Sequence, residues 1–165
     1  MKKEILFYPD PFLRKKSKSI EVITPEIREK VYFMAKVMKK HDGIGLAAPQ
    51  VGFEENIIVI GTDNGFFPLL NAKIIEKSKE KEKDVEGCLS FPGLFLEIKR
   101  HKKVRVSFKD LAGKEQIIEA KGLLARVLQH EIDHTQGILF IDRVSFWQKL
   151  KLKKTLKEKI KEWSG

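Results

Sequence analysis

Residues 130–134 read His-Glu-Ile-Asp-His, and this pentad constrains the chain more than any other feature of its 165 residues. Two histidines four positions apart face the same way on an α-helix, where residues i and i+4 lie one above the other. The residues before them carry that period: after Gly122, Leu123, Leu124, Val127 and Leu128 recur at helical spacing and lead into Glu131 and His134. On such a helix His130 and His134 can offer ring nitrogens to one ion. Glu131 directly follows the first histidine, which sets its carboxylate beside a water on that ion and not on the ion itself. A catalytic ion lowers the pKa of that water to roughly 7, and the carboxylate can take the proton and deliver it to a leaving amine.

The rest of the chain predicts what surrounds this helix. Thr24-Pro25 reads as a helix start, with Thr24 as N-cap and Pro25 in the first turn. Ile27, Val31, Met34, Ala35 and Met38 mark one buried face, Lys39, Lys40 and His41 suit the negative end of the dipole, and Gly43 stops the helix. His41 is thus a helix-end residue and not a ligand. The middle of the chain reads as strands: Ile57 to Ile60, Leu69 to Ile75, an alternation of Leu94, Leu96 and Ile98 with Phe95, Glu97 and Lys99, then Val104, Val106 and Phe108, a turn at residues 110–113, and Gln116 to Glu119. Lys77 to Asp84 is almost wholly charged and predicts a solvated loop or edge. The expected fold is α+β, with antiparallel strands packed around a central helix carrying the His-Glu-x-x-His motif, plus an N-terminal helix and a basic C-terminal helix at 145–165. Neither a repeat nor a composition break divides it, so residues 1–165 are expected to form one catalytic domain.

Composition limits the setting. With 42% hydrophobic and 34% charged residues the chain reads as soluble and globular. No run approaches the roughly 20 apolar residues of a membrane span. After Met1-Lys2-Lys3 the apolar stretch Ile5 to Tyr8 is ended at once by Pro9-Asp10-Pro11, so no secretory leader is expected. A single cysteine, Cys88, excludes an intrachain disulfide and fits a cytoplasmic location. The net charge of +10 predicts attraction to polyanions. Much of it lies between Lys149 and Lys161, where seven lysines and one acid interleave with Leu150, Leu152, Leu156 and Ile160, before Trp163. That pattern suits a terminal helix with a packed stripe and solvated lysines, or a docking helix for nucleic acid or a ribonucleoprotein surface. The two are compatible.

A third ligand separates the chemistries open to the histidine pair. A long zincin signature would place histidine at position 140, where Phe140 stands, and Glu158 and Glu162 lie in the lysine-rich tail. His101, beside Lys102 and Lys103, is a poor substitute. Cys88 is the better candidate, in Val85-Glu86-Gly87-Cys88-Leu89-Ser90, where Gly87 would let backbone approach an ion closely. Two histidines and one cysteine leave a coordination position open, as a catalytic site requires, and spacing alone points to zinc. Gly43 to Gly52 forms a third notable segment, Gly-Ile-Gly-Leu-Ala-Ala-Pro-Gln-Val-Gly. Its small residues would let another chain pass close to its backbone, and Gln50 could donate its amide to a developing oxyanion. It lacks the lysine and hydroxyl residue of a phosphate loop.

In this order the three segments closely resemble the signatures of the peptide deformylase family: Gly-φ-Gly-φ-Ala-Ala-x-Gln at Gly43 to Gln50, Glu-Gly-Cys-φ-Ser at Glu86 to Ser90, and Gln-His-Glu-x-Asp-His at Gln129 to His134 (φ apolar). The resemblance runs from Tyr8-Pro9-Asp10-Pro11 to Gly137 through Arg143. It implies removal of the N-formyl group from the initiator methionine of nascent polypeptides, with release of formate. By matching position, Cys88, His130 and His134 would hold one ion, Glu131 would be the acid/base, and Gln50 with the backbone N–H of Leu89 would stabilise the oxyanion. The peptide would lie extended beside Gly43, Ile44, Gly45 and Leu46, its methionine entering a pocket of Ile44, Leu123 and Val127. Glu86 and Arg100 match an ion pair that would brace the Cys88 loop. The resemblance implies Fe²⁺, with Zn²⁺, Ni²⁺ or Co²⁺ able to substitute. Phe91 and Thr135 depart from the usual aliphatic residues and would reshape the pocket rim. The motif also admits two rivals, a general metallopeptidase and a non-catalytic, metal-stabilised module that binds RNA through its basic tail. Position beside the nascent chain further suggests ribosome contact by the tail.

Overall fold

A computed structural model describes residues 4–165; Met1 to Lys3, part of the stretch expected to carry no leader, lie outside it. The elements are, in order, α1 (Pro25–Lys40), β1 (Gly45–Ala47), β2 (Ile57–Thr62), β3 (Gly65–Lys77), β4 (Lys81–Gly87), β5 (Phe95–His101), β6 (Lys103–Lys109), β7 (Glu115–Lys121), α2 (Gly122–Thr135) and α3 (Phe146–Ser164). All strand pairs are antiparallel. Five strands form one sheet in the order β1-β2-β3-β6-β7, and β4 and β5 form a separate two-stranded sheet.

The α1 start follows its sequence signal, with Thr24 Oγ1 accepting from the Ile27 N–H at 3.2 Å. Its end differs slightly. His41 is the cap, and the left-handed residue is Asp42 (φ 55°), one position before the expected stop at Gly43. His41 Nε2 lies 3.4 Å from Glu4, consistent with a helix-end role.

Burial explains why β2 is an unbroken apolar run. Alternate residues point to opposite faces of a strand. Ile58 and Ile60 pack with Ala125, Leu128 and Ile132 of α2, while Ile57 and Val59 pack with Val31, Met34 and Met38 of α1. A strand covered on both faces has no polar side to show. β1 is an edge strand of the same sheet, and α2 lies against it. A third cluster, built on Leu13, Phe91, Ile98, Leu139, Phe140 and Trp163, ties the β4–β5 hairpin to the chain after α2 and to α3.

The charged run at Lys77 to Asp84 is less irregular than its composition implies. β3 continues to Lys77, a short connection follows, and β4 begins at Lys81, so most of the run is paired edge strand. Cross-strand hydrogen bonds to β5 make regular structure out of a segment with no apolar pattern. α3 opens on Ser145, whose Oγ accepts from the Gln148 N–H at 3.3 Å. Leu152 and Trp163 are buried, and Trp163 Nε1 donates to the Pro92 carbonyl at 3.0 Å. The apolar stripe therefore packs, except that Leu150 faces solvent with Phe146 and Trp147. Among the described residues no helix is long and apolar enough to cross a membrane.

Candidate metal centre and active site

Every residue of α2 from Ala125 to Thr135 is buried, including Arg126, His130, Glu131, Asp133 and His134. Charge is costly inside a protein unless it is paired. The chain meets this with a network in which almost every group has a named partner. Glu86, near the end of β4, is its centre. Arg100 of β5 donates to it from Nε at 2.9 Å and Nη2 at 3.0 Å, Arg126 from Nη1 at 2.7 Å, and His130 Nδ1 lies 2.9 Å from its other oxygen. Burial alone would raise the Glu86 carboxyl, but hydrogen bonds from His130 and Arg100 outweigh it and hold it at about 2. The expected Glu86–Arg100 pair is thus present, and it reaches further than expected. Arg100 also donates to Asp133 at 2.7 Å, and Arg143 donates to the same carboxylate at 3.0 and 2.8 Å. Gln129 binds the β5 end through both the N–H and the carbonyl of His101.

With Nδ1 of His130 held by Glu86, Nε2 is the nitrogen left for an ion, an orientation that ligating histidines commonly gain from a carboxylate behind them. Cys88 Sγ follows the end of β4 and lies 3.4 Å from His134 Nε2. Ligand atoms of Cys88, His130 and His134 all lie within 4.8 Å of one another. Donors that bind one ion at roughly 2.0–2.3 Å must be gathered in this way, and the sulfur and two imidazoles are a set used by catalytic sites. Two polar atoms here have no hydrogen-bond partner among the described residues, Glu131 Oε2 and His134 Nδ1. The donor set and the orphaned Glu131 oxygen beside it fit a divalent ion. Burial, aided by the Glu86 and Asp133 charges and opposed by His130 and Arg100, pushes the Glu131 carboxyl up to about 7.

The remaining candidates gather at the same cavity of about 630 Å³, lined by Cys88, His130, Glu131, Gln50 and Leu89. Gln50 is buried; its Oε1 accepts from the Ala47 N–H at 3.0 Å, and Nε2 reaches Ser90 Oγ at 3.2 Å and Cys88 Sγ at 3.5 Å. Its amide is thereby turned with Nε2 toward Cys88. Gly43, Ile44, Gly45, Leu123 and Val127 also line the cavity. Ile44 (57% exposed) and Leu123 (65%) stand at its mouth, and Val127 (7%) is deeper. Leu46 is different: its side chain is fully buried in the α1-facing core, so only its backbone is available at the β1 edge.

The glycines act otherwise than their spacing suggests. A Cβ at residue 45 would lie 2.9 Å from both Glu131 Oε1 and Val127 Cγ1, so Gly45 is what lets α2 approach β1. A Cβ at residue 87 would meet the Phe95 ring at 2.9 Å, so Gly87 makes room for that ring. Of the two departures, Phe91 lines the cavity from within an aromatic group, stacked on Tyr8 at 5.0 Å and edge-on to Phe140 at 5.0 Å. Thr135 is fully buried, and its hydroxyl donates back to the Ile132 carbonyl at 2.7 Å, away from the rim.

The sequence pattern of the polypeptide deformylase family matches residues 2–150. The chain belongs to this family. It is 48% identical over 134 residues to the peptide deformylase of Carboxydothermus hydrogenoformans, covering 81% of this chain and 88% of that one. The structure of Arabidopsis thaliana peptide deformylase 1B superposes with a TM-score of 0.91 at 37% identity, over 98% of this chain and 92% of that one. That of the Synechococcus elongatus enzyme, solved with actinonin, gives 0.89 at 40% identity, over 96% and 90%. The family match stops near the start of α3.

Arg126, Asp133 and Arg143 were not singled out as site residues by motif alone. Arg126 carried a signal nonetheless. It is a charge inside the apolar run Leu123 to Leu128, one helical turn before His130, and such a residue needs a buried partner. Arg143 offered none, since its role depends on how the chain turns back after α2.

Proposed function

We propose that the chain removes the N-formyl group from the initiator methionine of nascent polypeptides and releases formate, with residues 1–165 acting as one catalytic unit to which 145–165 adds a basic helix. The observation that carries this reading is the gathering of Cys88, His130 and His134 around one point, with Glu131, one of whose oxygens has no partner among the described residues, lining the cavity beside the β1 edge. Cys88, His130 and His134 hold a divalent ion, which when bound supplies Lewis acidity and a water acidic enough to ionise near pH 7. Glu131 takes a proton at Oε2 and returns it to the methionine nitrogen as the C–N bond breaks. Gln50 Nε2 and the Leu89 N–H donate to the carbonyl oxygen as charge develops on it. Glu86, fixed by Arg100 and Arg126, keeps His130 turned to the ion. The substrate backbone adds to the β1 edge along Gly43 to Leu46, and the methionine side chain enters between Ile44, Leu123 and Val127.

The ion is Fe²⁺, with Zn²⁺, Ni²⁺ or Co²⁺ able to replace it. The likeness of the three motifs to those of iron-using deformylases supports this choice. A thiolate ligand beside ferrous iron makes the site oxygen-sensitive. The lone cysteine and the reducing conditions such a site needs support a cytoplasmic location. The lysines of α3 support contact with the ribosome, where formylated chains emerge.

The decisive experiment is formate release from a formyl-methionyl peptide by anaerobic, iron-loaded protein, wild type beside Glu131→Ala and Cys88→Ser. Wild type should release formate and both variants should lose most of it. Formate production undiminished in Glu131→Ala would refute the mechanism. Wild type that releases no formate but cuts internal peptide bonds would make the chain a general metallopeptidase.

A further inference from the structure

As sequence, Lys81-Glu82-Lys83-Asp84 is balanced in charge. Folded as β4 it is not, because side chains alternate between the two faces of a strand. Lys81 and Lys83 share one face; Glu82, Asp84 and the buried Glu86 share the other. The register with β5 sharpens the separation. Lys81 stands opposite His101, and Lys83 stands opposite Lys99. Like charges directly across a strand pair are destabilising, so this face carries a cost that the hairpin itself does not require. Nearby charges are neutralised: Lys102 lies 3.7 Å from Glu80, and Arg105 pairs with Glu76 and Glu119. Lys77, Lys81 and Lys99 have no such partner among the described residues.

These three lysines line one cavity of about 250 Å³. Arg100 and Arg143, engaged with Glu86 and Asp133, and His101, whose Nδ1 lies 2.6 Å from the Ser78 carbonyl, line it too. Its two acids are already engaged, Glu76 with Arg105 at 2.9 Å, and Asp133 with Arg100 at 2.7 Å and Arg143 at 2.8 Å. None of Cys88, His130 or Glu131 reaches it, so it is separate from the cavity that holds the metal ligands.

We propose that this cavity is a binding site for a phosphate group. Three ammonium groups without acid partners call for an anion with more than one charge and more than two acceptor oxygens. Phosphate has both, whereas a carboxylate offers one charge and two oxygens. An occupant of this kind offsets the charge that Lys77, Lys81 and Lys99 bring to one cavity, Lys99 also standing opposite Lys83 across the strand pair. The group is either a free phosphate ion or one carried on an RNA backbone, and the chemistry of the site is the same for both.

The test is titration of the full chain with inorganic phosphate at constant ionic strength, with chloride as the balancing anion, followed by calorimetry and by amide shifts of β4 and β5. Wild type should bind saturably. Lys81→Ala/Lys99→Ala, which removes two charged donors, should weaken binding about ten-fold or more. Lys81→Arg/Lys99→Arg should retain it. Lys153→Ala/Lys157→Ala on α3 changes net charge equally and should leave it unaltered. Absence of saturable binding, or equal weakening by the α3 pair, would overturn the site. A short single-stranded RNA identifies the source. RNA binding weakened by Lys81→Ala/Lys99→Ala and displaced by phosphate assigns the group to RNA; RNA binding indifferent to that variant assigns the free ion.

Discussion

α2 and α3 are both dense in charge, but they handle it in opposite ways. In α2, Arg126, His130, Glu131, Asp133 and His134 are buried, and all but Glu131 and one nitrogen of His134 are matched by partners from β4, β5 and the chain after the helix. In α3 the lysines other than half-buried Lys159 stand in solvent, and the helix is held by buried Leu152 and Trp163 with partly buried Leu156 and Ile160. The family match covers the first helix and ends at the start of the second. Charge inside a fold is tolerated only where geometry over-determines it, and that requirement makes α2 a rigid frame for chemistry. Charge on α3 is free to meet another molecule.

The largest effect should come from the one buried α2 carboxylate left partly without partners. Glu131→Gln should lower formate release by roughly 10²–10⁴-fold, the usual scale for a positioned acid/base. Thermal unfolding should stay close to wild type, because the substitution removes an unsatisfied oxygen and breaks no pair. A large drop in stability together with activity would mean that Glu131 is structural, and that α2 has no exception to its pairing rule.

Glu86→Gln should act the other way, chiefly on stability. It leaves Arg100 and Arg126 short of a buried counter-charge, a loss of about 3–5 kcal/mol. The matched control is Arg105→Ala, whose pairs with Glu76 and Glu119 are exposed and should contribute at most about 1 kcal/mol. The pH dependence has a definite sign. The Glu86 carboxyl sits at about 2 in the folded chain, below its ordinary value of 4.5. Its contribution is complete above about pH 4.5 and is lost as the pH falls toward 2, to the extent of roughly 3 kcal/mol. Denaturant unfolding between pH 6 and 2.5 should show a steeper acid loss in wild type than in Glu86→Gln. Equal slopes would show that this carboxylate is not the keystone of the network.

These contrasts also explain what could be read from the chain itself. α1, α2 and the strands β2, β5, β6 and β7 follow from periodicity and turn residues, because each has a face whose burial the sequence records. Of the candidate ligands, His130 and His134 follow from residue type and spacing, and Cys88 from the exclusion of other candidates and the family resemblance. Two things were not legible. The roles of Gly45 and Gly87 depend on which side chain arrives opposite them, Glu131 and Val127 in one case and Phe95 in the other, and these contacts are tertiary. The Glu86 network joins residues 86, 100, 126, 130, 133 and 143, and only the fold brings them together. Lys77 to Asp84 left loop and edge strand open for a related reason: its pairing partner, not its own pattern, makes most of it a strand.

The two sides of α3 should separate, the buried one by a loss of stability and the solvated one by the smallest effects of all. Trp163→Ala removes a buried ring that packs edge-on to Phe91 at 5.7 Å and donates to Pro92, which should cost about 3 kcal/mol or more. For this reason deleting residues 149–165 would confuse docking with folding, since it strips a wall from the cluster that includes Phe91. Lys153→Ala/Lys157→Ala avoids the problem. Both side chains are exposed and have no ion-pair partner among the described residues, so stability should shift by no more than about 0.5 kcal/mol and turnover of short formyl peptides should be unaltered. Co-sedimentation with ribosomes should weaken, and its salt dependence should become shallower, because fewer counterions are released. If ribosome association is indifferent to both lysines while Trp163→Ala still unfolds the chain, α3 is a structural brace, and its solvated charge has no part in locating the nascent peptide.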